Sequence, residues 1–287
     1  MGFSSVKKLV DAYEAGQTQL SSFRRVSGNA VAAISWIDLS MHSGNPVANF
    51  YANSPLESAT LTAKNGIYHG EDVALPATKH LKTMNFTFAA SVNSVNVPHL
   101  LLDYLLYYPF IDMDSTDEQV FTTNVTLPRY QDGKGVRAFL VSLGAYTGGQ
   151  AFTISYTNEK GESGRTSQRT LTNFAAVPGC ILSGGTNVNL SHAPFIGLQL
   201  GDQGMRSVES ITFEASNGGV AALVLVKPLA MSYLREITAC SEKDFLLEGA
   251  NLPRIYNGAY LNFITYALGS VAAAPYHGFI ETIWGNG

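Results

Sequence analysis

The feature that most limits the fold of this chain is a repeat of two. Met84, Phe86 and Phe88 alternate with Asn85 and Thr87, and Phe152, Ile154 and Tyr156 alternate with Thr153, Ser155 and Thr157. Such alternation sends apolar side chains to one face of a strand and hydroxyls to the other. Residues 136–143 and 220–226 are more continuously apolar, which predicts strands covered on both faces. A further strand is expected over residues 31–39. Turn clusters at Asp132-Gly133, at residues 158–161 and at residues 216–219 separate these runs. The predicted fold is mainly β: an antiparallel β-sandwich of jelly-roll type with a short N-terminal helix and an extended C-terminal region. The expected division is a helix and extended arm over residues 1–80, a sandwich core over 81–230, and a C-terminal docking region over 231–287.

Two helices are expected. Val6, Leu9, Val10 and Tyr13 fall at helical spacing over residues 5–15, with Ser4 or Ser5 to cap the start and Gly16 to end it. One short helix cannot stand alone, so this stripe is predicted to dock on the body or on a neighbouring subunit. Leu100, Leu101, Tyr104, Leu105 and Tyr108 have the same spacing between Pro98 and Pro109, which predicts a second amphipathic helix. Asn257-Gly258 predicts a two-residue hairpin. A last strand over 279–284 ends on Trp284, and an aromatic so near a chain end implies docking, in cis or in trans.

Charged residues make up only 14% of the chain, well below the roughly 25% of average soluble proteins, while it holds 14 Tyr, 15 Phe and 2 Trp. Depletion of charge with enrichment of aromatics marks surfaces that other subunits cover. The bland alternative is a sandwich with an uncharged polar surface. A net charge of −4 argues against nucleic acid as a partner, although Lys7, Lys8, Arg24 and Arg25 make the first segment locally basic. The longest aliphatic run, residues 220–226, is too short to span a bilayer as a helix. Neither a membrane nor a secretory route is expected. Cys180 and Cys240 are isolated and are expected to be buried or free thiols of a reducing compartment.

No motif assigns a reaction. The six histidines show no metal-ligand spacing, and no nucleophile elbow, P-loop or dinucleotide fingerprint occurs. The acidic stretch Asp112-Met113-Asp114-Ser115-Thr116-Asp117-Glu118 offers oxygens for a hard cation but lacks the glycine and distal glutamate of a calcium loop. It reads as turn and capping groups, so no metal or cofactor is expected. The more telling pattern is an echo. Leu127-Pro128-Arg129-Tyr130-Gln131-Asp132-Gly133 and Leu252-Pro253-Arg254-Ile255-Tyr256-Asn257-Gly258 share L-P-R-x-x-[DN]-G. The plain reading is one corner design used twice. The functional reading gives each corner an Arg that pins a loop or a neighbouring chain. Arg129 is expected to serve its own subunit. Val6, Leu9, Val10, Tyr13, Arg254, Tyr256 and Trp284 are the expected subunit contacts.

Several segments form a familiar set: Trp36-Ile37-Asp38-Leu39-Ser40, Gly44-Asn45-Pro46, Asn49-Phe50-Tyr51-Ala52, His69-Gly70, residues 127–136, Ile154-Ser155-Tyr156-Thr157-Asn158 and Lys227-Pro228-Leu229-Ala230. Taken together they resemble structural proteins of tailed-bacteriophage particles. The resemblance implies particle assembly, with no catalytic residue to carry over. Low charge and a docked terminus then favour a capsid-associated decoration or cement subunit, assembled in the host cytoplasm and contacting copies of itself and the major capsid protein. A tail, baseplate or adaptor component is the nearest alternative. A receptor- or glycan-binding sandwich and a particle-borne hydrolase are the readings from other classes.

Overall fold

The computed structural model describes residues 3–26, 35–88, 97–174, 177–185, 193–234, 239–248, 251–267 and 275–286. Helix α1 (Val6–Glu14) opens it, with the Ser5 hydroxyl accepting from the Lys8 N–H at 3.3 Å and Gly16 (φ 67°) following its last turn. In chain order, the first strands are β1 (Thr18–Val26), β2 (Ser35–Asp38), β3 (Ser43–Asn45), β4 (Ala59–Thr60), β5 (Thr78–Phe88) and β6 (Val97–Asp112). They are followed by β7 (Gln119–Val120), β8 (Arg137–Ser142), β9 (Ala151–Asn158), β10 (Arg165–Thr166), β11 (Thr170–Leu171) and β12 (Cys180–Gly185). The last are β13 (Met205–Phe213), β14 (Val220–Leu234), β15 (Ser241–Asp244), β16 (Arg254–Ile255), β17 (Tyr260–Ala267) and β18 (Pro275–Gly285).

The strands form a closed barrel with a sheet on each of two outer sides. The barrel runs β14-β8-β12-β2-β17-β6 and closes where β6 returns to β14, every pairing antiparallel. Closure leaves these six strands no free edge. One outer sheet, order β15-β5-β18-β1-β3 with β16 also on β5, is called the histidine sheet below. The other, order β10-β9-β13-β7 with β11 also on β9, is the apolar sheet. The mainly β, jelly-roll or sandwich class expected from the alternation is therefore the class observed. The histidine sheet draws strands from near both ends of the chain, since β18 lies between β1 and β5. Trp284 thus docks in cis.

Side-chain alternation sorts the barrel residues into three cores. Tyr104, Phe139, Val141, Ile181, Ala222, Val224 and Ile264 fill the interior. Their neighbours on the opposite faces, among them Leu140, Leu182, Leu223 and Leu225, pack against Phe152, Ile154, Ile211 and Phe213 of the apolar sheet. On another side Ile37, Leu101, Leu261 and Phe263 pack against Phe23, Met84, Phe86 and Ile280 of the histidine sheet. Barrel strands are therefore buried on both faces, which explains the unbroken apolar runs in β8 and in the first half of β14.

Three expectations need correcting or bounding. The helix expected over residues 100–108 is part of the 16-residue strand β6. Both its faces are buried, so helical spacing can be picked out of a run in which nearly every position is apolar. Pro109 does not stop it. Ile111 pairs with Ala221 and Tyr108 with Leu223, so Pro109 and Phe110 oppose Ala222 in a bulge, with Phe110 at φ 55°. Asn257-Gly258 is a turn but not a hairpin, because β16 pairs with β5 whereas β17 pairs with β2 and β6. The turn carries the chain from the histidine sheet into the barrel. The strand expected over 31–39 is observed as β2, after which Leu39–Met41 form a 3-10 turn; residues 31–34 lie outside the described residues.

The barrel interior also holds a carboxyl group. Asp38 is fully buried and accepts hydrogen bonds from the hydroxyls of Tyr51, Tyr104 (2.7 Å) and Ser40 (2.8 Å) and from the Ser40 N–H (2.9 Å). Burial pushes the Asp38 carboxyl up, and these donors oppose that shift.

Candidate docking site

The two echoing corners meet in space. Asp132 and Gly133 turn the first corner, with the Gly133 N–H donating to the Tyr130 carbonyl at 2.7 Å. Gly133 has φ 71°, and a Cβ there would come within 2.6 Å of the Met205 carbonyl oxygen, so only glycine fits. Tyr130 itself stands at φ 52°, a left-handed conformation that non-glycine residues rarely adopt. The second corner is tied down by Asn257, whose side chain accepts from the Val73 N–H at 3.1 Å and donates to the Val73 carbonyl at 2.9 Å.

Arg129 joins the corners. Its Nε and Nη2 donate to the two carboxylate oxygens of Asp103 at 2.8 and 2.7 Å, Nη2 also reaches the Tyr104 carbonyl at 3.0 Å, and Nη1 reaches the Gly258 carbonyl at 2.9 Å. Arg129 and Asp103 are both buried, and the Tyr260 N–H adds a further donor to Asp103 at 3.1 Å. Burial pushes the Asp103 carboxyl up, and the bidentate guanidinium opposes this. The first corner's Arg therefore clamps the second corner's turn within one subunit, as expected for Arg129.

Arg254 does the opposite. It is exposed and lies over the Tyr256 ring with its guanidinium carbon 4.4 Å from the centroid. Tyr256 meets Tyr130 edge-on at 4.9 Å, and the Lys227 ammonium lies 5.3 Å from the Tyr130 centroid. The result is a ladder of cation, ring, ring and cation. Lys227 also donates to the Lys134 carbonyl at 2.8 Å. Burial lowers its pKa, Asp132 opposes this, and Arg137 and Lys134 reinforce it. Two adjoining grooves of 580 and 470 Å³ flank the ladder and share Tyr130, Asp132 and Tyr256. Leu75, 83% exposed, lines the larger groove, and Lys134 and Lys227 line the smaller. Among the described residues, Lys134, Arg137, Lys227 and Arg254 form no ion pair.

The other expected contacts do not join this site. Leu9 turns inward with Ala12 against Ile283, while Val6 (71% exposed) and Val10 face outward. The small Ala12 is what lets α1 rest on β18 through this face. The Tyr13 hydroxyl donates to Glu281 at 2.7 Å. Trp284 is half-buried, with the Lys79 ammonium 5.7 Å from its ring. In the acidic stretch, Asp112 accepts from the Asp114 N–H at 2.9 Å and Glu118 from the Ser210 hydroxyl at 2.6 Å, which are turn and strand-end contacts. Among the described residues no three His, Cys, Asp or Glu gather as a metal group. Cys180 is buried and Cys240 exposed, and both are free. Sequence reasoning found Arg254 and Tyr256 through the echo. It missed Lys227, which reaches the site only because it pairs with Asp103 in the β14–β6 ladder.

No protein-family model matches the chain, and no curated protein matches it. Among solved structures, the VP2 subviral particle of infectious bursal disease virus is similar over 93% of this chain and 80% of that one, at 10% identity and a TM-score of 0.18. A likeness that weak carries no argument about this chain.

Proposed function

We propose that this chain is a non-enzymatic structural subunit of a virus particle, of the tailed-bacteriophage kind, that works through protein–protein contacts. Its place on the capsid surface as a decoration or cement subunit belongs to the same proposal, with the major capsid protein and copies of itself as partners. The observation that carries the reading is the ladder at the paired corners. Three cations, Lys134, Lys227 and Arg254, stand there without ion-pair partners among the described residues, two of them stacked on tyrosines, beside an exposed leucine. Stacking fixes each cation in position before a partner arrives, which reduces the ordering cost of binding. Arginine and tyrosine in such a setting are typical anchors of protein interfaces. A glycan-binding role fits less well, because Lys227 and Arg254 already lie over the ring faces on which a sugar would stack.

The test is Arg254→Ala, scored separately for subunit stability and for incorporation into particles. Unchanged melting with lost incorporation is the expected result. Normal incorporation would remove the corner from the assembly surface, and an unfolded subunit would make Arg254 a structural residue. Copy number per particle separates a shell subunit, in the hundreds, from a tail or baseplate component.

A further inference from the structure

We infer that the cationic groove at the paired corners receives the acidic loop, residues 112–118, of a second copy of this chain, so that copies join head to tail. This rests on the reading of the groove as a docking surface and names its occupant. The β14–β8 ladder runs from Ala221, paired with Ser142, to Val226, paired with Arg137. Beyond the first end lies the acidic loop, since Val220 pairs with Asp112. Beyond the second lie Lys227, Lys134 and the corners. Six residues of strand lie between Val220 and Lys227, which places them roughly 23 Å apart at the usual rise. The loop cannot reach the groove of its own subunit, so only another molecule can bring the two together.

The chemistry of the two ends is complementary. Asp112, Asp114, Asp117 and Glu118 are exposed, and among the described residues none forms an ion pair. Hydrogen bonds to Asp112, Asp114 and Glu118 from the Asp114 N–H, Ser216 and Ser210 hold the loop in shape while leaving carboxylate oxygens free. At the other end the exposed outer face of the Arg254 guanidinium can take a carboxylate through two parallel hydrogen bonds, with Lys134 and Lys227 as point charges alongside. Asp132 is the acid that Lys227 feels in the groove, and it is outnumbered by the cations. In a chain with so little charge, unpaired clusters of opposite sign at opposite ends match a heterologous contact, one patch meeting a different patch on the next copy. Closure into a ring or continuation around a shell then depends on the angle between copies.

A charge-swap experiment on the full chain tests this. One variant reverses the groove through Lys134→Glu and Arg254→Glu, both exposed side chains, and the other reverses the loop through Asp114→Lys and Asp117→Lys. Circular dichroism and melting confirm that each folds. Self-association is then followed by sedimentation velocity at low and high salt. The wild-type protein is expected to associate more weakly as salt rises. Each variant alone should associate at least about tenfold more weakly, because like charges now face each other. Mixing the two variants should restore association, since each mixed contact again pairs opposite signs. A mixture that stays monomeric overturns the proposal, as does self-association that survives either reversal. If the loop variant associates normally but Arg254→Ala still fails to enter particles, the groove remains a docking surface and the second copy is not its occupant. A fold lost in the Asp114 variant is met by Asp117→Lys alone, for which half of the charge change should give a smaller loss in the same direction.

Discussion

The two sheets that flank the barrel are attached by different chemistry. On the apolar sheet, Phe152, Ile154, Ile211 and Phe213 meet Leu140, Leu182 and Leu223 of the barrel. On the other side, all five described histidines lie in or against the histidine sheet. His99 of the barrel stacks on Phe86 of β5 at 3.7 Å and shares a hydrogen bond of 2.8 Å with Thr265. His69 bonds the Ala259 carbonyl at 3.0 Å through Nε2, and the Lys79 ammonium approaches its Nδ1 at 3.2 Å. Nδ1 must then accept and Nε2 donate, which keeps the ring neutral. His42 packs near Arg25, whose Nη1 donates to its carbonyl at 2.9 Å. His80 bonds Thr78 and the Leu252 carbonyl, and His277 is exposed on β18. Two hydrophobic layers on the same barrel thus differ in their sensitivity to protons.

The largest effect expected from this difference is acid release of the histidine sheet. Burial, with Lys79 and Arg25 as secondary causes, lowers His69 and His42 to about 4, and burial alone lowers His99 to about 3. Each ring is neutral in the fold and takes up a proton once unfolded. Between pH 6.5 and 4 the unfolded state therefore binds more protons, and stability falls as pH falls. Each such group removes up to roughly 3 kcal/mol at the acid end of that window. Amide exchange is expected to lose protection in β1, β5 and β18 near pH 5 while β9 and β13 stay protected. Simultaneous loss in both sheets would erase the comparison. His99→Phe, which keeps the stack on Phe86, should flatten part of the pH dependence, and an unchanged profile would absolve His99.

Next in size is Arg129. Asp103 lies on β6 between Leu101, which faces the histidine sheet, and Leu105, which faces the apolar one. Arg129→Met leaves its carboxylate buried and unpaired, a loss of about 3–5 kcal/mol. Because the pair stands between the two cores, denaturant unfolding should show both sheets weakened together. Weakening of one sheet alone would place the pair inside that sheet's core.

The smallest effects belong to α1, which packs on β18 beneath the histidine sheet. Leu9→Ala should cost about 2 kcal/mol, at the low end for a buried leucine because only a small cluster surrounds it. Protection should fall in β18 and β1 only. Val10→Ser, on the exposed face, should stay within about 0.5 kcal/mol, and a larger loss would mean that the helix packs through another face.

How much of this was legible depended on whether one face of an element or both are buried. β5 and β9 each keep one polar face, so their alternation showed them directly. β6 is covered on both sides, and its apolar run carried no period to separate strand from helix. The corner motifs were legible as a pair because L-P-R-x-x-[DN]-G repeats, and the repeat led to Arg254 and Tyr256. Lys227 gave no local sign of its place beside them. Nor did the histidines, which are scattered over 236 positions of the chain, from His42 to His277.

The sequence alone determined the β class, the turn glycines, the capped first helix and the scarcity of charge. These are local properties, fixed by side-chain period, backbone freedom and solvation within a few residues. The tertiary structure alone decided that six strands close into a barrel, that Arg129 clamps a turn 129 residues away, and that one flanking sheet collects the histidines. Those outcomes depend on pairing between distant segments. A register that brings Lys227 opposite Asp103 is chosen by the burial of whole faces at once, and no short stretch of chain carries that information.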